Sequence, residues 1–330
     1  VVTDDNLAGL AGRFVAELVE VGISSSLEVV QAGEGSKSLD SAMGLYDRLV
    51  ALKADRQTCV VAVGGGVVGD LAGFVAATYN RGLPLVMVPT SLLAMVDSSV
   101  GGKVGVNHPG AKNVIGAFHQ PSGVWIETGV LKTLPVRELR CGLAEVVKYG
   151  MILDARFFEE LEQNAEAINA RDPEWIRRII ARSCELKADV VSQDEREETG
   201  LRAVLNFGHT IGHAVEAVAG YGGAFEHGEA VAVGMVAEAR LAERLGWIGP
   251  SVTHRLVGLL RRFSLPIAAP KLDPAALFQA MGRDKKNSGG QIRFVLPRAI
   301  GRVELTGSQE AEILDVLGSM VELRAGSEEA

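Results

Sequence analysis

Hydrophobic and polar positions follow two different periods along this chain, and the change from one to the other divides it. Up to about residue 130, short continuous apolar runs are separated by helix-length stretches. Residues 58–63 (TCVVAV) form an unbroken, mostly β-branched run ending in Gly64-Gly65-Gly66, the pattern of a strand buried on both faces followed by a tight turn. A helix is predicted from Val67 to about Asn80, and a second buried strand over 85–88, ended by Pro89. Strand, helix, strand in that order specifies a βαβ unit and therefore a parallel sheet. Residues 124–126 supply another strand, and Val1 reads as already inside one, so the natural N-terminal strands are expected to be missing.

Beyond Leu134 the period lengthens to that of helices. Amphipathic stretches at 136–150, 154–168, 174–192, 201–219 and 227–245 predict helices, with Pro135, Pro173 and Pro250 where helices can start. A hairpin is predicted at 291–296 and 302–306, turning through 297–301, and the tail from Ala325 is expected to be disordered. The chain reads as an α/β parallel-sheet domain over 1–134 followed by a mainly helical domain over 135–330.

Composition narrows the function classes. A chain of 330 residues, 47% of them hydrophobic, can bury two cores. A formal charge of −8 argues against a general nucleic-acid binder, which needs a basic face. Three widely spaced cysteines, an odd number without a CxxC pair, suit reduced thiols in a cytoplasmic protein. No apolar run approaches the roughly 18 residues of a membrane span, and no signal-peptide pattern opens the chain.

Against this background certain polar groups stand out. The glycine turn at 64–66 lies between a strand and a helix, where bare backbone could approach a pyrophosphate or could merely serve a turn needing positive φ; the spacing is not GxGxxG and leaves both open. Asp4, Asn6, Glu34, Lys37, Thr90 and Ser91 also follow strands, and in a parallel sheet such positions line one edge, as a dinucleotide site would. The segment 97–113 carries four glycines with Lys103 and Lys112 and reads as a loop suited to a phosphate or carboxylate.

The helical half offers ligand-type residues. Glu145 and Lys148 share one helix face. His209 and His213 have the HxxxH spacing of metal chelators, although Thr210 replaces the glutamate of the HExxH protease motif. Continued backwards as one helix, Arg202 and Asn206 fall within about 40° of the histidines, while Gly200 places Glu198 in the preceding loop. A stripe of Arg, Asn, His and His is too costly to bury unpaired, so it faces solvent or a polar site. Gly208 and Gly212 point to the close approach of a neighbour or ligand, and His227 starts the next helix.

At these residues the chain resembles a known family. GGGVVGDLAGFVAATYNRG, VPTSLLAMVDSSVGGKVGVN, KNVIGAFHQP, RCGLAEVVKYG, GLRAVLNFGHTIGHAVE and HGEAVAVGM are similar, in order and spacing, to blocks of the 3-dehydroquinate synthases, members of the sugar phosphate cyclase superfamily. The resemblance implies a nucleotide-binding α/β domain followed by a helical metal- and substrate-binding domain. It implies conversion of 3-deoxy-D-arabino-heptulosonate 7-phosphate (DAHP) to 3-dehydroquinate in the shikimate pathway, by transient oxidation with NAD, β-elimination of phosphate, re-reduction and aldol closure. It further implies one divalent metal, zinc or cobalt, on Glu145, His209 and His227. NAD contacts would come from Asp4, Asn6, Glu34, Lys37, Gly65, Gly66, Val68, Asp70, Thr90, Ser91, Lys112, Thr133 and Leu134. Substrate contacts would come from Asp97, Lys103, Asn113, Lys148, Glu198, Arg202, Asn206, His213 and a lysine of Asp284-Lys285-Lys286-Asn287, taken as Lys285. Arg81 would reach the phosphate held by a partner subunit, implying a homodimer, with no nucleic-acid or membrane partner. Glu127, Ser91 and Val130 depart from the family pattern, all on the NAD side. Other sugar phosphate cyclases, and a dehydrogenase resembling glycerol dehydrogenase, are the rival expectations.

Overall fold

The computed structural model describes residues 1–220, 224–282 and 292–322. They fall into two compact units that part after Pro135.

The first unit is a five-stranded parallel sheet with helices. Its elements run β1 (Val2–Asp4), α1 (Ala8–Glu20), β2 (Glu28–Val30), α2 (Leu39–Ala51), β3 (Val60–Gly64), α3 (Gly66–Thr78), β4 (Leu85–Pro89), β5 (Lys103–His108), β6 (Ala111–Phe118) and β7 (Gly123–Val124). The sheet order is β2-β1-β3-β4-β7, and every pairing in it is parallel. The apolar run of β3 sets this up: Val60, Ala62 and Val63 are buried, and the strand pairs residue for residue with β4 from Val60↔Leu85 to Gly64↔Pro89. Helix α3 is apolar almost all round and buries Val68, Leu71, Ala72, Phe74, Val75 and Ala76 in the same core.

The segment expected to be a glycine-rich loop is instead mostly a hairpin, β5 paired antiparallel to β6, preceded by a π-helical turn at Ala94–Ser98. Val104 and Val106 carry it, because both are buried in the α3 core. The glycines around them mask that alternation in the sequence.

The second unit is helical apart from one hairpin. It contains α4 (Val136–Leu153), α5 (Ala155–Asn169), α6 (Pro173–Gln193), α7 (His209–Ala219), α8 (His227–Arg244), α9 (Pro250–Arg262), α10 (Pro274–Gly282), β8 (Arg293–Ala299), β9 (Arg302–Gly307) and α11 (Glu310–Glu322). Pro173 and Pro250 occupy first-turn positions, and Asp172 caps α6 by accepting the Glu174 and Trp175 amides. Among the described residues no helix is long and apolar enough to cross a membrane.

One prediction needs correction. Residues 201–219 do not form a continuous helix: a 3-10 segment, Leu201–Asn206, precedes α7, and Gly208 separates them at φ +79°. That left-handed conformation favours glycine, and it ends one helix and starts the next. The single stripe running from Arg202 to His213 therefore does not exist as a helix face.

Candidate metal centre

Three close approaches between helices build the centre. A Cβ on Gly228 would lie 2.2 Å from the Cys141 carbonyl oxygen, so only glycine lets the start of α8 press on α4. Cys141 is one turn before Glu145, and Gly228 follows His227. A Cβ on Gly234 would lie 1.9 Å from the Gly208 carbonyl oxygen, and one on Gly212 would lie 3.1 Å from that of Ala230, so α7 also packs closely on α8. The neighbour that the Gly208 and Gly212 pattern requires is thus α8. The buried Glu238 carboxylate accepts the Gly208 N–H at 2.8 Å and fixes the turn leading into His209. Burial raises the Cys141 thiol pKa to about 12, leaving it protonated and unreactive at neutral pH.

These contacts gather Glu145, His209 and His227, whose ligand atoms all lie within 4.8 Å of one another. Glu145 is fully buried, and its Oε1 accepts no hydrogen bond. It forms an ion pair with Lys148, itself only 2% exposed. Its Oε1 lies 3.5 Å from His209 Nε2 and 3.8 Å from His227 Nε2. His209 Nδ1 is 3.1 Å from the Phe207 carbonyl, which can only accept, so Nδ1 carries the proton and Nε2 presents a lone pair. His227 Nδ1 is held in the same way, 3.2 Å from Glu216 Oε2. In their neutral forms the two imidazoles direct lone pairs at a carboxylate oxygen, an arrangement relieved by a proton or a metal cation among them. The donor set, two neutral imidazoles and a carboxylate, fits a divalent metal such as zinc or cobalt.

His213 belongs to the same cluster. Its ring centroid is 5.4 Å from that of His209 and 6.1 Å from that of His227. Arg202 is buried, and its guanidinium donates to the Glu195 carbonyl at 2.9 Å and approaches Glu197 at 3.7 Å. Glu198 is exposed in the loop before Gly200, and Asn206 ends the 3-10 segment. Lys285 lies outside the described residues. Three residues that sequence reasoning passed over matter here. Glu216 sits seven residues after His209, about 20° away around the helix, a spacing that could have revealed it. Asp194 accepts the amides of Glu198, Thr199 and Arg202. Lys187 is buried in α6, a costly place for a lysine.

In the first unit, the residues expected to bind a dinucleotide follow strands β1 to β4. Asp4 ends β1 and accepts the Leu7 amide, and exposed Asn6 follows it. Glu34 and Lys37 lie at the 3-10 turn after β2, while Thr90 and Ser91 follow β4. Lys37 pairs with Asp70 of α3 and donates to Asn113, so Asn113, expected at the substrate, is tied to this group. Asn107, absent from the expected set, links them by donating to Glu34 at 2.8 Å and accepting the Asn113 amide at 2.9 Å. None of Gly64, Gly65 and Gly66 has positive φ, which removes the simple-turn explanation. Gly64 is needed because a Cβ there would lie 2.6 Å from that of Val68. Gly65 precedes α3 and offers no side-chain cap, leaving the first amides of that helix for an anion.

The other expected residues are more dispersed. Lys112 is half-buried on β6, Lys103 is exposed on β5, and Asp97 lies in the π-helical turn. Thr133 donates to the Val130 carbonyl at 3.1 Å, and Leu134 follows it at the end of a 3-10 helix. Arg81 is exposed at φ +67° in the turn after α3.

A parallel-sheet unit and a helical unit with a carboxylate and two imidazoles define the class: the fold of the sugar phosphate cyclases. The 2-epi-5-epi-valiolone synthase of Streptomyces hygroscopicus, solved with NAD+ and Zn2+ bound, matches over 97% of this chain and 89% of its own, at 30% identity and a TM-score of 0.89. A 2-deoxy-scyllo-inosose synthase, complexed with carbaglucose-6-phosphate, NAD+ and Co2+, matches over 97% and 90%, at 30% identity and a TM-score of 0.87. Within that class the sequence is more specific. Residues 27–141 match the 3-dehydroquinate synthase N-terminal model and 142–287 the C-terminal one. The 3-dehydroquinate synthase of Desulforamulus reducens is 49% identical over 319 residues, 96% of this chain and 88% of that protein. The chain belongs to the 3-dehydroquinate synthase family, and its function is that of the family.

Proposed function

We infer that the chain converts DAHP to 3-dehydroquinate and inorganic phosphate, using NAD and one divalent metal. The observation that carries this is Glu145, wholly buried with an Oε1 that accepts no hydrogen bond and faces two imidazole Nε2 atoms, in a chain about half identical to 3-dehydroquinate synthases. Glu145, His209 and His227 would hold the metal, and the residues after β1 to β4, with Lys112, Thr133 and Leu134, would hold NAD. When bound, the metal supplies a Lewis acid and NAD a reversible hydride acceptor.

The remaining residues position charge. Lys148, paired with Glu145, would offer its remaining N–H donors to substrate oxygens. His213, one helical turn from His209, would hold a phosphate oxygen and move a proton at it. Arg202, with a lysine at 285 or 286, would hold the carboxylate end. Lys103, Asn113 and Asp97 of the first unit would contact the substrate, and Arg81 would reach a partner subunit's substrate in a homodimer. Three free thiols suit a cytoplasmic enzyme.

DAHP stands at the same oxidation level as its two products together, so turnover leaves no reduced cofactor behind. The expected outcome is phosphate release from DAHP with NAD, abolished by chelation and restored by zinc or cobalt, without accumulation of NADH absorbance. Undiminished release after exhaustive metal removal would overturn the metal assignment. NADH accumulating with turnover would indicate a dehydrogenase, and preference for sedoheptulose 7-phosphate would indicate a valiolone-type cyclase.

A further inference from the structure

Glu216 is not among the three metal-binding candidates at Glu145, His209 and His227, yet it is buried and its Oε2 lies 3.2 Å from His227 Nδ1. Nε2 of the same ring faces Glu145 at 3.8 Å. The imidazole of His227 is thus gripped on one edge by Glu216 and directed at the metal position by the other. A carboxylate accepting from Nδ1 fixes the tautomer with Nε2 unprotonated and raises the basicity of that nitrogen. His209 receives the equivalent constraint from a backbone carbonyl, at Phe207. His227 starts α8, and its side chain is 32% exposed against 11% for His209, so it depends more on a side-chain partner.

We propose that Glu216 is the positioning residue of the metal centre, holding His227 in the tautomer and orientation that bind the metal without touching the metal itself. A competing arrangement is visible in the same side chains, since the ligand atoms of His213, Glu216 and His227 also lie within 4.8 Å of one another. If the metal sat there, Glu216 would be a direct ligand. The geometry favours the first arrangement: Glu145 Oε1 accepts no hydrogen bond and faces Nε2 of both His209 and His227, whereas Glu216 already engages His227.

The proposal rests on the assignment of Glu145, His209 and His227 as ligands, and one experiment separates the two. The metal-free full-length protein and its Glu216→Ala, Glu216→Gln, His209→Ala and Glu145→Gln variants are titrated with Co2+ against a competing chelator, and their visible cobalt spectra are recorded. The expected result is affinity about 10–100-fold weaker for Glu216→Ala with the wild-type band pattern kept, and a smaller loss for Glu216→Gln, whose amide oxygen still accepts from Nδ1. Unchanged melting of the metal-free variants separates this from a folding defect, and Glu216→Gln carries the test should Glu216→Ala fail to fold. Wild-type affinity in the folded Glu216 variants would overturn the proposal while leaving the ligand assignment intact. Loss of a ligand from the Glu216→Gln spectrum, with Glu145→Gln and His209→Ala binding normally, would overturn both and place the metal on the other triad.

Discussion

Asp194 shows how much a single carboxylate can organise. Its two oxygens accept backbone amides from Glu198 at 2.9 Å, Thr199 at 3.0 Å and Arg202 at 3.0 Å, closing the loop that leads into the 3-10 segment. Those amide hydrogen bonds, led by that of Arg202, lower its pKa to about 2. An unfolded aspartate titrates near 3.9, so the folded chain releases this proton more readily than the unfolded one. The stability it contributes is complete above about pH 4 and is lost as the pH falls through about 2. Asp194→Asn should lower the urea midpoint at pH 7, and the gap to wild type should close as the pH is taken down to 2. A gap independent of pH would mean that the charge on Asp194 contributes nothing. Sequence reasoning found Arg202 and Glu198 but not Asp194, and found His227 but not Glu216. The first kind of residue carries recognisable chemistry in a recognisable block. The second kind acts through hydrogen bonds to backbone or to another side chain, which exist only once the chain has folded.

At the scale of elements, two glycines inside helices make opposite predictions although the sequence around them looks alike. Gly234 in α8 supports the closest contact with α7, where an added methyl would lie 1.9 Å from the Gly208 carbonyl oxygen, backbone that cannot swing aside. Gly234→Ala should therefore destabilise by at least the roughly 1–3 kcal/mol typical of overpacking, and should weaken metal binding by parting His209 from His227. Gly258 in α9 has nothing within 4 Å of its would-be Cβ, so Gly258→Ala should stabilise by about 0.5–1 kcal/mol through the entropy of the unfolded chain. Thermal melts of the two variants, with cobalt uptake for the first, check both. Periodicity alone located β3, α3, β4, α4, α5, α6 and α8 closely, since each presents a long apolar face. It ran the Leu201–Asn206 segment into α7 because the break is one residue's backbone angle. It missed the β5–β6 hairpin because glycines dilute the alternation that the α3 core rewards.

Across the whole molecule, each unit carries one chemistry: glycine-opened helix amides and a Lys37–Asp70 pair in the first, carboxylate and imidazoles in the second. The family blocks contain residues of both, and their resemblance further implies a role for Arg81 in a partner subunit. Arg81 and Asn80 are consecutive non-glycine residues with positive φ, at +67° and +53°, in the turn that follows α3. Backbone strain of roughly 1–3 kcal/mol per such residue persists where the surroundings enforce it, often at functional sites. If Arg81 serves the partner subunit, activity should be recoverable from two inactive variants. In a heterodimer of Arg81→Ala with His227→Ala, the subunit that lacks Arg81 keeps its metal ligands and receives Arg81 from its partner, whereas the other site lacks both. Co-expression in equal amounts makes half of the dimers mixed, each with one intact site of two, so turnover should return to about a quarter of the wild-type level. Phosphate release from DAHP by the mixture, set against each variant alone, measures this. A mixture as inactive as its components would place Arg81 in its own subunit's chemistry, and a monomeric wild-type chain in sedimentation would remove the dimer on which the proposal depends.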